Sequence, residues 1–378
     1  MTPHLVDATL FYTPTSGGVR RYLLAKHEWL NRRSRVRHSC FVPGPVDRGE
    51  AGGIVEFASP PLRAGYRCPV RLPALRARLQ ALEPDLIEAG DPYLMAWQAA
   101  AVAERLGIPA LAFCHSDLIG VVEHRLGPHA GRLAARYLRG LYRHFQLVLA
   151  PSRVVADRLR EARIEPVAVQ PLGVDAGVFH PSRADPTLRA RLSLRPRTRL
   201  LVFAGRLAPE KNLPELLELV EHLGDPYHLL VIGGGREARL APRVTLLPYQ
   251  PDPRSVAALL ASSDALVHAG RQETFGLVAL EAMAAGIPVV AYAAGALPEL
   301  IDDAVGRLAS PKGPRALAEA VVALFDSDAA ALGRAARARV LERYSWDAAF
   351  EGELRHYARL LDTVSLLRPA DTRPAVAT

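Results

Sequence analysis

Short apolar runs alternate with helical stretches along this chain, and the alternation occurs twice. The first series comprises "HLVDATLF", the turn-rich "YTPTSGG", the helical "VRRYLLAKHEWLN", and the runs "DLIEAGD", "ALAFCHSD" and "LVLAPS". Helical stretches such as "YLMAWQAAAVAERLG" and "AGRLAARYLRGLYRHF" lie between them. Parallel strands need crossover connections, so strands alternating with helices imply a parallel sheet covered on both faces. The pattern lapses from Ala168 to Arg197, through "AVQPLGVDAGVFHPSRADP". It then restarts with "RLLVFAGRL", a helix from Leu213 to Leu223, "HLLVIGGG", "VTLLPY", a helix from Arg254 to Ser262, "ALVHAG", a further helix and "PVVAYA". The expected architecture is α/β: two doubly wound, Rossmann-like domains over 1–170 and 171–345, facing a central cleft. Ligands of such sheets sit beyond the carboxyl ends of the strands.

Length and composition fit that reading. The 378 residues suffice for two or three domains, and 49% hydrophobic with 23% charged residues marks a globular chain. The net charge of +8 is compatible with an anionic membrane surface, a phosphorylated small molecule or nucleic acid. No aromatic–basic stacking motif supports nucleic acid, which is not expected as a partner. Cys40, Cys68 and Cys114 are isolated thiols without a C-x-x-C pair, which argues for a reducing compartment and against a zinc or disulfide framework. The start "MTPHLVDATLFYTP" lacks the features of a signal peptide, and the uncharged segment Ala282–Pro298 is too short and too rich in Gly and Pro for a membrane span. A cytoplasmic protein is expected, with peripheral contact to the inner face of the cell membrane as a further option. The tail 367–378 is expected to be disordered.

The stretch "RQETFGLVALEAMAAGIPVVA" carries two carboxylates in an apolar setting. Thr274 is expected to cap a helix beginning at Phe275 or Gly276 and ending near Ala285, with Gly286 as C-terminal cap. Glu273 then lies at the helix N-terminus, and Glu281 about two turns inside. A buried carboxylate needs hydrogen-bonding partners. Glu281 meets either sugar hydroxyls or Arg and backbone donors of the interior. In "FAGRLAPEKN", Arg206 and Lys211 follow a strand, where a pyrophosphate would sit; Arg supplies a planar fork and Lys a point charge. The alternative is an ordinary solvated loop. In "SGGVRRY", Gly17 and Gly18 form either a tight turn or a close approach to phosphate at a helix N-terminus. His115 ends the strand of "FCHSD", as a structural or a cleft-facing histidine; Cys114 points to the opposite face, which argues against a Cys–His dyad. The turn Gly233–Gly235 either joins strand to helix plainly or lies against a nucleotide base.

Together, "SGGVRRY", "HSD", "GVDAGVFHP", "FAGRLAPEKN", "VIGGG" and "HAGRQETFGLVALEAMAAGIPVVA" resemble the family 4 retaining glycosyltransferases of GT-B fold. The motifs run in the family's order over nearly the whole chain. The resemblance implies an acceptor-side first domain, a nucleotide-sugar-binding second domain, and a C-terminal helix over 346–366 that crosses back to the first. It implies that Arg206 and Lys211 bind the donor diphosphate, that Glu281 holds the ribose, and that Glu273 holds the donor sugar with the backbone N–H groups of Phe275, Gly276 and Leu277. Gly17 and Gly18 would lie against the phosphates, Gly234 near the nucleotide, and His115 near the sugar. His115, Glu273, Arg206 and Lys211 are thus the expected catalytic residues. The implied reaction moves a hexose, mannose from GDP-mannose at best match, to a lipid-linked or polysaccharide acceptor, with no cofactor and no essential metal. A UDP-sugar-dependent transferase and a nucleotide-sugar epimerase are the alternatives. The basic "NRRSRVRH" and the segment Arg125–Arg143 are either solvated faces or contacts for anionic lipid.

Overall fold

The computed structural model describes residues 2–13, 18–62, 65–310, 312–363 and 366–367. Two compact units result: Met1–Ala150 with Leu159–Gln170 and Phe350–Thr378, and Pro151–Arg158 with Pro171–Ala349. The division is therefore not a single cut near residue 170. Residues 151–158 join the second unit, where the Glu299 carboxylate accepts the N–H groups of Arg153 (2.9 Å) and Val154 (3.0 Å) at the start of the helix Arg153–Glu161.

The first unit holds strands β1 (His4–Ala8), β2 (Arg37–Gly44), β3 (Ile54–Ala58), β4 (Leu86–Ala89), β5 (Ala110–Phe113), β6 (Leu147–Ala150) and β7 (Val167–Val169). They form one sheet in the order β3-β2-β1-β4-β5-β6-β7, parallel throughout. The second unit holds β8 (Arg199–Ala204), β9 (Tyr227–Gly234), β10 (Ala238–Ala241), β11 (Val244–Pro248), β12 (Ala265–His268), β13 (Val289–Tyr292) and β14 (Gly306–Ala309). Their order is β10-β11-β9-β8-β12-β13-β14, parallel except for the antiparallel edge pair β10–β11. Both sheets are doubly wound. The second reverses strand order between β8 and β12, which pair through Ala265↔Leu201 and Leu266↔Val202.

Helices cover the sheets and explain the unbroken apolar runs. In β8, Leu200, Leu201 and Val202 are each fully buried, as a strand packed on both faces must be. The core of the second unit packs Phe203, Val231 and Tyr292 of the sheet against Leu216 and Leu219 of the helix Leu213–Leu223 and Leu317 and Val321 of the helix Pro314–Phe325.

The last helix, Trp346–Leu360, enters the first unit through a buried ionic cluster. Lys26, on the helix Gly18–Arg33, is fully buried, and its Nζ lies 3.0 Å from Asp7 Oδ1, 2.9 Å from Glu88 Oε1 and 3.2 Å from Glu353 Oε1. Tyr22 donates to Glu353 (2.6 Å) and Tyr357 to Glu88 (2.5 Å). Three carboxylates around one ammonium cannot all be charged cheaply in a dry interior. Burial, reinforced by Asp7 and Glu353, pushes Glu88 well above its ordinary range in spite of Lys26. Asp7 goes the other way: burial opposes its charge, but Lys26 and then His38, 3.1 Å away, hold it down at about 2. Leu367, expected in the tail, instead pairs with Ser34, while Arg35 N–H donates to Leu366 O at 2.7 Å. The rest of the tail, 368–378, and Gly17 lie outside the described residues.

Candidate active site

Side chains at the reversal of the second sheet are placed by two loops. One follows β8 and carries Arg206 and Lys211; the other follows β12 and carries Glu273. The two are 62 positions apart in sequence between Lys211 and Glu273, yet these side chains form an ion pair. Chain reversal brings the carboxyl ends of two neighbouring strands together there, which is where open α/β sheets bind ligands.

Several contacts fix the loops. Asn212, after the short 3-10 turn Pro209–Lys211, donates its amide to Ala269 O at 2.8 Å and ties the first loop to the end of β12. Arg271 grips Glu215 with two hydrogen bonds of 2.6 and 2.9 Å and lies over the Tyr292 ring, whose hydroxyl donates to Glu215 at 2.5 Å. Glu273 O accepts from Ala296 N–H at 2.9 Å. Gly295 makes this close approach possible: its φ is +55°, and a Cβ there would lie 2.5 Å from Glu273 O. The turn after β9 rests on the turn after β8 in the same way, since a Cβ on Gly233 would lie 1.9 Å from Gly205 O. Gly234 packs on Leu246, where a Cβ would come within 2.6 Å.

Glu273 is ringed by positive or donating groups. His268, the last residue of β12 and 1% exposed, places Nε2 3.0 Å from Glu273 Oε1. Burial alone would raise the Glu273 pKa. The proximity of His268, followed by that of Lys211, outweighs it and holds this carboxyl far below its ordinary range. Arg206 differs from Lys211. Its side chain is 80% exposed, and its nearest carboxylate, Glu210, is 3.7 Å away. The site thus presents one tethered cation and one extended into solvent.

The helix after this loop spans Leu277–Ala284. It starts later than expected, and Thr274 does not cap it: Gly276, with φ +95°, is the N-cap and makes no side-chain cap hydrogen bond. The left-handed turn at Gly276 redirects the chain where a threonine cap would have begun the helix earlier. The stop matches expectation. Gly286 N–H donates to Met283 O and Ile287 N–H to Ala282 O, the paired bonds of a glycine-terminated helix. Phe275 is buried against Tyr344, so only its backbone can meet a ligand. The first-turn N–H groups of a helix have no intrahelical acceptor and favour an anion. Glu281 is 7% exposed, in the second turn of this helix.

In the first unit, Gly18 opens the helix Gly18–Arg33. His115 follows β5 and stacks on Phe113, with ring centroids 4.2 Å apart and planes 3° apart. Its Nε2 is buried with no hydrogen-bond partner among the described residues. Burial, and then the charge of Lys26, lower its pKa to about 3, so the ring is neutral. Cys114 lies on the other side, buried, with its thiol donating to Ser116 O at 3.3 Å.

The sequence reading missed His268 and the Glu215–Arg271–Tyr292 cluster. A signal for the histidine exists: "ALVH" ends a strand as "AFCH" does, so both histidines stand at the carboxyl edge of a parallel sheet.

Similarity to known proteins agrees with this geometry. The model described as "Glycosyltransferase Family 4" matches residues 16–178, and "Glycosyl transferases group 1" matches residues 185–339. The chain is 32% identical over 299 residues to a GDP-mannose-dependent alpha-mannosyltransferase of Mycolicibacterium smegmatis, covering 78% of each chain. The chain is a family 4 glycosyltransferase. This glycosyltransferase is also 30% identical over 363 residues to a GDP-mannose-dependent alpha-(1-6)-phosphatidylinositol dimannoside mannosyltransferase of Mycobacterium tuberculosis, covering 91% of this chain and 93% of that one. Its fold is GT-B. The sucrose-phosphate synthase of Thermosynechococcus elongatus superposes with a TM-score of 0.77 over 96% of this chain and all of that one, at 21% identity. Anabaena Alr3699/HepE in complex with UDP gives 0.73 over 95% of this chain and all of that one, at 19% identity.

Proposed function

We propose that the enzyme transfers mannose from GDP-mannose, with retention of anomeric configuration, to a lipid-linked or glycan acceptor. The observation that carries this reading is the meeting of Lys211 and Glu273 at the reversal of the second sheet, with the exposed Arg206 on the same loop as Lys211. A cation and a carboxylate side by side suit a ligand that is anionic at one end and rich in hydroxyls at the other. The mannosyltransferase relatives support the choice of sugar and nucleotide.

Arg206 and Lys211 take the diphosphate, and the backbone N–H groups of Phe275, Gly276 and Leu277, at the entry to the helix Leu277–Ala284, assist Glu273 at the donor sugar. Glu273 holds sugar hydroxyls, Glu281 the ribose, and Gly234 lies near the nucleotide. Gly18 and His115 keep their expected roles toward donor phosphate and donor sugar. The bond between the sugar's anomeric carbon and the diphosphate oxygen breaks, the acceptor oxygen bonds to that carbon on the same face, and the departing phosphate oxygen takes the acceptor's proton. Preorganised cations and dipoles stabilise the charge that develops on the leaving group. The reading assigns that charge to the protein and needs no metal.

Among the described residues no helix is long and apolar enough to cross a membrane. We infer peripheral contact with anionic lipid on the cytoplasmic side through the helices Leu118–Leu126 and Pro128–Tyr142. There Leu126 (73% exposed) and Leu133 (68% exposed) stand among exposed Arg125, Arg132, Arg136 and Arg139.

A thermal-shift screen of GDP-, UDP- and ADP-sugars, followed by assay of the anomeric configuration of the product, tests the reading. A donor at about 100 times its Kd stabilises the fold by roughly 2.7 kcal/mol. GDP-mannose should give the largest shift. Preference for UDP-glucose would move the assignment to a UDP-sugar enzyme, and release of free nucleoside diphosphate without transfer would favour an epimerase.

A further inference from the structure

We propose that His268 is a positioning residue, holding Glu273 charged and aimed at the donor sugar once the donor's diphosphate draws Lys211 away. The proposal rests on the roles given above to Glu273 and Lys211.

The tautomer of His268 is set by its own loop. Gly270 N–H donates to His268 Nδ1 at 3.1 Å. A ring nitrogen that accepts carries no proton, so in the neutral ring the proton sits on Nε2. That nitrogen is buried 3.0 Å from Glu273 Oε1, within hydrogen-bond distance though not aligned for one here, and it has no other partner among the described residues. The ring packs closely on Gly270, where a Cβ would lie 2.6 Å from its Cε1. Lys211 meets the same oxygen, Oε1, which leaves Oε2 as the oxygen for a ligand.

The two partners of Glu273 differ in what a donor does to them. Lys211 ends the short 3-10 turn Pro209–Lys211 in the loop after β8, with a long side chain that can follow a phosphate. His268 closes a strand and stays in place. When the diphosphate takes Lys211, Glu273 becomes a largely buried carboxylate, which is costly without a donor. The His268 Nε2–H is then the contact that keeps it ionised and fixes Oε1, so that Oε2 faces the sugar hydroxyls.

Two amide variants separate this role from simple packing. In His268→Gln the side-chain N–H₂ reaches the position of Nε2 and can still donate to Glu273. In His268→Asn the shorter amide can accept from Gly270 but does not reach Glu273. We expect His268→Gln to keep kcat within about tenfold of wild type, and His268→Asn to lose on the order of 100-fold, the scale of one preorganised donor. The kcat–pH profile is the second readout. Without the donor, Glu273 protonates at higher pH, so His268→Asn should lose activity from about pH 7 towards pH 5 while wild type and His268→Gln stay flat. Equal activity in the two variants, equal impairment of both, or an unchanged profile in His268→Asn overturns the proposal. Glu273→Gln, assayed in parallel, tells the two levels apart. If it turns over normally, the role of Glu273 itself fails. If it is inactive while Gln and Asn at 268 behave alike, the role of His268 alone fails.

Discussion

Lys211 and Glu273 hold each other across the reversal point of the second sheet, the cation from the loop after β8 and the carboxylate from the loop after β12. A diphosphate must compete with Glu273 for Lys211, whereas Arg206 is exposed to solvent. Arg206→Ala should therefore leave stability within about 0.5 kcal/mol of wild type and cost several kcal/mol of transition-state stabilisation. Lys211→Ala should cost as much in kcat/KM and also lower Tm, because Glu273 loses a partner in a largely buried place. Steady-state kinetics and scanning calorimetry on both variants give the comparison. Near-wild-type turnover in either removes that residue from the diphosphate site.

The docking of the last helix depends on Lys26. Lys26→Met leaves Asp7, Glu88 and Glu353 without their shared cation, and breaking a buried pair in this way costs about 3–5 kcal/mol. Tyr357→Phe removes one hydrogen bond to Glu88 and should cost about 1–3 kcal/mol. Urea unfolding followed by far-UV circular dichroism measures both. A Lys26→Met protein as stable as wild type would mean that the cluster contributes nothing.

The same cluster sets an acid limit. Asp7 titrates at about 2 in the folded chain and at about 3.9 when unfolded. A carboxyl with a depressed folded pKa contributes stability that is complete above the unfolded value and is lost as pH falls through the folded one. Asp7 should thus contribute on the order of 2–3 kcal/mol at pH 6, disappearing between about pH 4 and pH 2. Asp7→Asn should flatten the stability profile in that window, as measured by denaturant midpoints at a series of pH values.

Lipid contact is tested by co-sedimentation. Binding to phosphatidylglycerol vesicles at low salt, with release at high salt, is expected if the basic helices dock on anionic lipid. Leu126→Ser combined with Leu133→Ser should weaken the binding while leaving donor affinity unchanged. Equal binding to neutral vesicles would contradict an electrostatic contact.

The sequence made some of this legible and hid the rest for physical reasons. The buried strands β8, β9, β12 and β13 are unbroken apolar runs, so their places along the chain could be read. Strands β2, β3, β7, β10 and β14 escape: "RHSCFVPG" opens on polar residues and ends in Pro-Gly, "IVEFA" carries a glutamate, and "VAV", "ARLA" and "GRLA" are short and not buried throughout. The pair Glu273 and Glu281 stood out as carboxylates in an apolar setting. The ion pair of Lys211 with Glu273 did not, since it exists only once two crossovers bring β8 beside β12. Lys26 looks like any helix lysine in "YLLAKHEWL"; its burial depends on Asp7, Glu88 and Glu353 arriving from three distant elements.

The most direct test of the account is calorimetric titration of bare GDP into Glu281→Gln and Glu273→Gln. GDP carries ribose and phosphates but no sugar. If Glu281 grips the ribose, Glu281→Gln should weaken GDP binding by about tenfold or more, roughly 1.4 kcal/mol. If Glu273 serves the sugar and restrains Lys211, Glu273→Gln should bind GDP as well as wild type or more tightly, because Lys211 is released to the phosphates, while its turnover collapses. Loss of GDP binding in Glu273→Gln with full binding in Glu281→Gln would reverse the two roles. Wild-type binding and turnover in both would contradict the account.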